Sequence, residues 1–201
     1  MKKIAIIDYG LGNLRSVIRG LEKAGANALI TCDAGEIASA DGLVLPGVGA
    51  FCEGMEQLGP LRETVVKSAR QVPMLGICLG MQMLMETSEE HGLHSGLGLV
   101  PGRVTRFPRV PGQKVPHMGW NSLEIEQPDS PLFAGIRNDE YMYFVHSYYV
   151  DTLREYTLTS TQYICPFAST VGNGNVFGVQ FHPEKSGAAG LRLLKNFISM
   201  V

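Results

Sequence analysis

The sequence predicts an α/β fold in a single domain of residues 1–201, with a central, mostly parallel sheet flanked by helices and an additional antiparallel β portion in the second half. The length of 201 residues exceeds a usual domain of ~150 residues by about a third, which favours one core. Apolar residues make up 45% of the chain, enough to build that core. Over residues 1–90, short apolar runs alternate with helical patterns as in βαβ units.

The first half of the chain predicts the parallel sheet. Apolar runs that end at Asp, Gly or Pro predict buried strands, and apolar residues three and four positions apart predict amphipathic helices. In chain order the elements are a strand at 3–8, a helix at 13–24 that stops at Gly25, strands at 28–31 and 42–47, a helix at 58–69, a strand at 73–77 and a helix at 79–85.

The second half is richer in β structure. A segment rich in Gly and Pro, 91–116, shows few periodic runs, and the apolar or β-branched runs at 141–145 and 156–160 predict antiparallel strands. Residues 175–181 alternate apolar with polar or small residues, which predicts one more strand. An amphipathic helix at 188–198 follows.

Charge and hydropathy exclude several classes of partner. The net charge of −2 gives no basic surface for nucleic acid or an anionic membrane. The apolar run 4–7 is too short for a secretory signal, and the most apolar stretch, 72–85, is interrupted by Pro and Gly and is shorter than the ~20 residues that span a bilayer. We therefore expect a cytoplasmic protein whose partners are small molecules or other proteins, without a cofactor.

Metal and nucleotide sites are not expected either. The four cysteines form no Cys-x-x-Cys pair, which argues against a disulfide framework and a zinc site. His91 and His94 have ligand spacing, but they lie in a Gly-rich loop without further ligands. The Gly10–Gly12 turn lacks the third glycine and the later acidic residue of a dinucleotide site.

The segment Gly76-Ile77-Cys78-Leu79-Gly80 has the form of a nucleophile elbow, in which flanking glycines permit a tight turn from strand to helix. A thiol at the start of a helix lies at the positive end of the helix dipole, which lowers the pKa of a thiol and favours the thiolate. Taken alone, the pentapeptide is equally compatible with a buried structural cysteine, because Cys is one of the most buried residue types.

A base for that cysteine is predicted at His182, followed by Glu184, at the end of a predicted strand. An imidazole can deprotonate the thiol and protonate a leaving amine, and a carboxylate on its other nitrogen fixes the ring. Since side chains alternate along a strand, we expect His182 and Glu184 on one face. The other interpretation of His182 is a surface histidine in a loop.

A second glycine-rich turn, Pro46-Gly47-Val48-Gly49, follows a predicted strand and leads to the same sheet edge as Cys78. A tetrahedral oxyanion needs two N–H donors, and the two sources are this loop and Leu79, the residue after the nucleophile. The alternative is a plain tight turn.

Together these motifs, in this order, resemble the class I glutamine amidotransferases, and the resemblance implies their single-domain fold. Within that class the chain is similar, essentially end to end, to the glutaminase subunits of imidazole glycerol phosphate synthases. The residues that carry this closer likeness lie in four segments: Asp8–Leu14, Pro116–Asn121, Tyr143–Tyr148 and His182–Ser186.

The resemblance implies a role for each motif. Cys78 forms a γ-glutamyl thioester, His182 is the base and acid, and Glu184 orients His182. The remaining implied assignments are the oxyanion hole at Val48, Gly49 and Leu79, glutamine binding at Gly47, Gln82, His146 and Ser147, and the partner interface at Asn13, Trp120 and Lys185.

The implied partner is the (β/α)₈ cyclase subunit of imidazole glycerol phosphate synthase, in a heterodimer that shows allostery. The cyclase uses the ammonia to make imidazole glycerol phosphate and aminoimidazole carboxamide ribotide in histidine biosynthesis. A 201-residue glutaminase has no room for an acceptor domain of its own, which agrees with a separate partner chain. Two alternatives stay open, a stand-alone cysteine hydrolase and a non-catalytic interaction subunit.

Overall fold

The computed structural model describes residues 2–201 and contains one large sheet and one two-stranded ribbon. The strands are β1 (Lys3–Ile7), β2 (Asn27–Thr31), β3 (Gly42–Gly47), β4 (Met74–Cys78), β5 (Thr87–Ser88), β6 (His94–Ser95), β7 (Arg103–Arg106), β8 (His117–Ser122), β9 (Glu124–Ile125), β10 (Tyr141–His146), β11 (Tyr148–Asp151), β12 (Thr157–Gln162), β13 (Pro166–Asn173) and β14 (Val176–Val179). The α-helices are α1 (Leu14–Ala24), α2 (Ala34–Ala38), α3 (Phe51–Leu58), α4 (Arg62–Ala69), α5 (Leu79–Met83) and α6 (Gly187–Met200). Turns of 3₁₀ helix lie at Gly59–Leu61, Pro131–Phe133, Arg154–Tyr156 and Pro183–Lys185.

The large sheet runs in the order β2-β1-β3-β4-β14-β13-β11-β7-β5-β6, with β12 pairing with β13 and with β9. The neighbouring pairs β2–β1, β1–β3, β3–β4 and β4–β14 are parallel. Strand β13 pairs antiparallel with β14, β12 and β11. Strands β8 and β10 form a separate antiparallel ribbon. The predicted α/β class, with a parallel centre and an antiparallel second half, is confirmed.

Both faces of the parallel sheet are buried. Along β1, Ile4 and Ile6 face one apolar cluster, and Ala5 and Ile7 face the other. Helices α1 and α6 cover the first face, and helices α2 to α5 cover the second. Because both faces of the sheet are buried, its strands are expected to be continuous apolar runs in the sequence.

This topology places three chain segments side by side. Strands β3, β4 and β14 are parallel neighbours, so their carboxyl ends meet at one edge of the sheet. Gly47 is paired with Cys78 in the register of β3 and β4. Ligands of parallel α/β sheets bind outside the carboxyl ends of the strands.

The sequence prediction differs from the structure in the helices of the second layer. One helix was expected over 58–69, but α3 ends at Leu58, a 3₁₀ turn containing Pro60 follows, and α4 begins at Arg62. Proline is well placed at the first turn of a helix and cannot continue the preceding one, which explains the break. Helix α2 was not predicted, because five residues are too few to show a helical period. Among residues 2–201, the structure contains no helix that is both long and apolar enough to cross a bilayer.

Candidate active site

Cys78 occupies a strained turn between β4 and α5. Its φ of 55° and ψ of −110° place a non-glycine residue at positive φ, which is rare and is concentrated at functional sites. The flanking glycines make the turn possible, because a Cβ on Gly80 would overlap the Leu45 carbonyl and a Cβ on Gly76 would lie 2.8 Å from the Gly80 backbone. The turn has the geometry expected of a nucleophile elbow.

His182 and Glu184 form a buried pair beside Cys78. The His182 Nδ1 lies 2.9 Å from Glu184 Oε1, and the two side chains are only 6% and 1% exposed. Because a carboxylate only accepts, Nδ1 carries the proton and Nε2 is left for the sulfur. Burial lowers the pKa of His182, but hydrogen bonds with Cys78 and Glu184 prevail and raise that pKa to about 9.

The expected reason for this pairing was wrong in one respect. Strand β14 ends at Val179, so His182 and Glu184 do not share a strand face; His182 precedes the 3₁₀ turn Pro183–Lys185, which brings the carboxylate back to the ring. Two hydrogen bonds fix the backbone of His182. Its N–H donates to the Tyr143 carbonyl at 2.9 Å, and its carbonyl accepts from the Ser186 hydroxyl at 2.6 Å.

We expect Glu184→Gln to lower the pKa of His182 from about 9 toward the ordinary value of 6.5. Glutamine turnover should fall by about 10²–10⁴-fold without vanishing, because the base remains but loses its orientation. The pKa is measured by NMR titration of the His182 ring, and turnover by glutamate release.

The same substitution should change the pH dependence of stability. In the folded wild type the pKa of His182 lies above its unfolded value of 6.5. The stability that the protonated His182 gives to the folded state is therefore fully present below pH 6.5 and is lost as pH rises toward 9. The unfolding free energy of Glu184→Gln should vary less over that window. An unchanged His182 titration in this variant would exclude the ion pair.

A cavity of about 350 Å³ opens at Cys78. Most residues assigned from sequence line it: Val48, Gly49, Cys78, Leu79, Gln82, His146, Ser147, His182 and Lys185. Four others that line it were not assigned: Glu90, Pro116, Val145 and Tyr148. Glu184, which is hydrogen-bonded to His182, is not among the lining residues. Three further sequence-assigned residues also lie outside the cavity: Gly47, Asn13 and Trp120.

These three have distinct positions. Gly47 is buried, and a Cβ at this position would run into the Tyr9 hydroxyl, so only glycine fits there. Asn13 is exposed at the start of α1, where its side chain accepts from the Ser16 N–H at 3.3 Å. Trp120 is 55% exposed on β8, with its ring edge against Tyr143.

The loop after β3 brings backbone donors to the cavity. Gly49 has φ of +107°, a conformation that favours glycine, and Val48 is exposed beside it. Leu79 is the first residue of α5, so its N–H lies among the helix N–H groups that have no intrahelical acceptor. Both donor sources predicted from sequence therefore line the cavity that holds Cys78.

Gly49→Ala is expected to lower kcat for glutamine by about 10²–10³-fold with little change in KM, because an oxyanion donor acts on the transition state. Steady-state kinetics check this split. Gly25→Ala is the matched control: Gly25 has a similar φ of +100° and open space around its Cβ position, at the end of α1. It should lose comparable stability and keep its activity; a rise in KM alone for Gly49→Ala would make the loop a substrate-binding element instead.

Three further residues at the site were not predicted from the sequence. Gln180 directly follows β14, and its Nε2 lies 3.8 Å from Cys78 Sγ. The Tyr9 hydroxyl donates to the Pro46 carbonyl at 2.8 Å, and burial raises the pKa of Tyr9. Glu90 comes from a loop whose sequence shows no helical or strand periodicity.

In the described chain, no group of three or more His, Cys, Asp or Glu side chains is placed to hold a metal ion.

Comparison with known proteins places the chain in a class. A family model described as class-I glutamine amidotransferase matches residues 5–201. The fold is similar to that of one chain of PurLQS from Thermotoga maritima, with a TM-score of 0.74 at 18% identity, covering 99% of both chains. It is also similar to the glutaminase domain of Trypanosoma brucei CTPS with bound acivicin, with a TM-score of 0.73 at 20% identity, covering 100% of this chain and 93% of that one. The chain belongs to the class I glutamine amidotransferase family.

Curated relatives narrow the class. The chain is 57% identical over 203 residues to imidazole glycerol phosphate synthase subunit HisH of Methanosarcina acetivorans, covering 100% of both chains. It is 48% identical over 198 residues to the HisH subunit of Archaeoglobus fulgidus, covering 98% of both. Within the amidotransferases the chain belongs to the HisH family, which confirms the resemblance carried by its motifs.

Proposed function

We propose that this chain is the glutaminase subunit of an imidazole glycerol phosphate synthase. It hydrolyses glutamine to glutamate and ammonia at Cys78, and the ammonia passes to a cyclase subunit that makes imidazole glycerol phosphate and aminoimidazole carboxamide ribotide in histidine biosynthesis. The single observation that carries this proposal is the strained Cys78 turn beside the buried His182–Glu184 pair at one 350 Å³ cavity. The full-length likeness to HisH subunits supports the pathway.

The proposed reaction has two halves. The Cys78 thiolate attacks the side-chain amide carbon of glutamine, and the N–H groups of the Val48–Gly49 loop and of Leu79 stabilise the oxyanion. The C–N bond then breaks as His182 gives a proton to the nitrogen, which releases ammonia and leaves the γ-glutamyl thioester. Water loses a proton to His182 and attacks the thioester carbon, so that glutamate leaves and the thiolate is restored.

Glutamine also carries an α-ammonium and an α-carboxylate that the cavity must hold. We assign the ammonium to Glu90, whose Oε2 accepts from the Phe51 N–H at 2.7 Å, leaving the other carboxylate oxygen for the substrate. Gln82 and the backbone at His146–Ser147 line the same cavity, and we assign to them the rest of the glutamine. We also assign Gly47, which directly precedes the lining residue Val48, to glutamine binding.

Glu90→Gln should raise KM for glutamine by about 10–100-fold with a smaller effect on kcat, because it removes a charge that pairs with the bound substrate. Kinetics at saturating and limiting glutamine separate the two parameters. Glu63→Gln is the control, since Glu63 is an exposed carboxylate on α4. If kcat falls and KM does not move, Glu90 supports the start of α3 rather than the substrate.

We assign the partner interface to Asn13, Trp120 and Lys185. All three side chains are exposed, and two of them are connected to the site. Lys185 follows Glu184 and lines the cavity, and Trp120 packs on Tyr143, whose carbonyl holds the His182 N–H. A partner that contacts this surface would therefore touch the residues that fix the base.

We further propose that residues 1–201 act as one domain in the cytoplasm. The four cysteines are all unpaired, and the proposed reaction needs Cys78 in its reduced form. A reducing compartment keeps such thiols free.

Glutamate and ammonia release by the chain mixed with its cyclase subunit tests the proposed function. We expect one ammonia per glutamate, used in cyclase product formation at the same rate. Glutamate release that never supports cyclase product would instead favour a stand-alone hydrolase.

A further inference from the structure

A buried amide lies directly behind the nucleophile. Gln180 is 0% exposed, and its side-chain Nε2 lies 3.8 Å from Cys78 Sγ, within the range of an N–H···S hydrogen bond. The Gln180 Oε1 accepts from Gln82 Nε2 at 3.1 Å. The glutaminase steps described above make no use of Gln180.

The orientation of the Gln180 amide is set by its neighbours. Gln82 Nε2 donates both to Gln180 Oε1 and to the Tyr148 carbonyl, the latter at 3.0 Å. A carbonyl only accepts, so Gln82 must present its NH₂ group there. Gln180 must then present its oxygen to Gln82 and its N–H to Cys78. The flipped amide would place an acceptor against the sulfur and two NH₂ groups against each other.

The Tyr148 carbonyl is held by one buried histidine, which is held in turn by a second. His146 Nδ1 lies 2.8 Å from that carbonyl, and His146 Nε2 lies 2.9 Å from His117 Nδ1. The carbonyl requires a proton on His146 Nδ1, so His146 Nε2 accepts from His117 Nδ1–H. His117 Nε2 is left to accept from Asn121 Nδ2 at 3.2 Å.

Both rings are neutral at pH 7. Burial lowers the pKa of His117 to about 4 and that of His146 to about 3. His117 is also held by stacking, with its ring centroid 4.0 Å from that of Tyr163 and 4.9 Å from that of Phe144. A continuous chain of hydrogen bonds between uncharged groups thus connects the β8–β10 ribbon to the Cys78 sulfur.

We propose that Gln180 is a further catalytic residue of this site: its N–H donates to Cys78 Sγ and stabilises the thiolate, with Gln82, His146 and His117 as positioning residues that hold the amide in that orientation. A hydrogen bond to a charged acceptor is stronger than one to a neutral acceptor, so the donor favours thiolate over thiol. The inference rests on the proposed function only in that Cys78 is taken as the nucleophile.

The test is the pH profile of alkylation of Cys78 by iodoacetamide in the full chain, read by mass spectrometry on the Cys78 peptide. Gln180→Met removes the N–H and keeps an apolar side chain of similar length. We expect its profile to move to higher pH by roughly one unit. Its plateau rate at high pH should rise about threefold, because a thiolate that lacks a donor is more nucleophilic.

Three further variants, one of them a control, make the test decisive. Gln180→Glu retains an oxygen for Gln82 and lacks the N–H, so it should move the profile in the same direction. Thr159→Val is the control: Thr159 is fully buried and hydrogen-bonded to Ser169 and Thr170, and none of these three residues lines the cavity at Cys78, so its loss should leave the profile in place. His117→Phe keeps the aromatic stack, removes the donor to His146 and should give a smaller upward shift.

An unmoved profile in folded Gln180→Met or Gln180→Glu would overturn the proposal. If both variants fail to fold, His117→Phe decides, and an unmoved profile there overturns it. Iodoacetamide needs no glutamine, so the test of Gln180 is separate from that of the proposed function. A chain that has the expected alkylation profile but releases no glutamate in complex with the cyclase subunit and its ligand would contradict the proposed function alone.

Discussion

Cys78→Ser is expected to abolish glutamine-dependent synthesis by the complex with the cyclase subunit and to leave synthesis from added ammonium salt intact. The thioester cannot form without the thiolate, and loss of a nucleophile costs about 10⁴–10⁶-fold in turnover. Ammonia supplied from solution bypasses that step. Product formation with each nitrogen source is measured on the same preparation.

Three further variants make this result specific. Cys78→Ala should behave as Cys78→Ser does, and His182→Ala should lose glutamine-dependent synthesis in the same way. Cys52→Ser is the control, since Cys52 lies on α3 and its thiol donates to Glu56. Full glutamine-dependent activity in Cys78→Ser would remove Cys78 from the mechanism.

The second large effect is expected from the partner. The isolated chain should hydrolyse glutamine poorly, and a heterodimer whose cyclase site is occupied should be faster by about 10²-fold or more, the effect of completing one oxyanion donor. Ammonia released without an acceptor is lost to water, so an effector on the partner must favour the competent state of this subunit.

The loop after β3 is the element that we expect to change state. Gly49 stands at φ of +107° with Gly47 two residues before it, so a peptide flip that supplies or withdraws an N–H meets a small steric cost. Lys185 lines the same cavity and is exposed to a partner. Glutamate release by the isolated chain, the heterodimer and the heterodimer with cyclase ligand is the measurement. Equal rates in all three would exclude this activation.

The parallel sheet could be predicted because its signals are local. Strands β1, β3 and β4 are apolar runs that end at Asp8, Gly47 and Cys78, and α1 has apolar residues at helical spacing and a Gly25 stop. Parallel βαβ units bring the carboxyl ends of β3 and β4, and with them the Val48–Gly49 loop and Cys78, to one edge of the sheet. His182 reaches the same edge by another route, because β14 pairs antiparallel with β13 and parallel with β4.

Other parts of the site depend on contacts between residues far apart in sequence. Gln180 and Gln82 are 98 positions apart, and His117 and His146 are 29 apart, so no local pattern indicates their hydrogen bonds. Glu90 enters the cavity from a loop, where neither periodicity nor turn chemistry sets a side-chain direction. The pairing of His182 with Glu184 was predicted, but the 3₁₀ turn that produces it was not.

The role of Cys78 as the nucleophile is tested most directly by labelling the chain, in complex with its cyclase subunit, with an electrophilic chloroketone analogue of glutamine and locating the adduct by mass spectrometry. We expect one adduct, on the Cys78 peptide, formed in step with the loss of glutaminase activity and slowed by added glutamine. The peptides that carry Cys32, Cys52 and Cys165 should stay unlabelled under the same conditions. An adduct on another residue with activity lost, or a fully labelled Cys78 with glutaminase activity retained, would contradict this role.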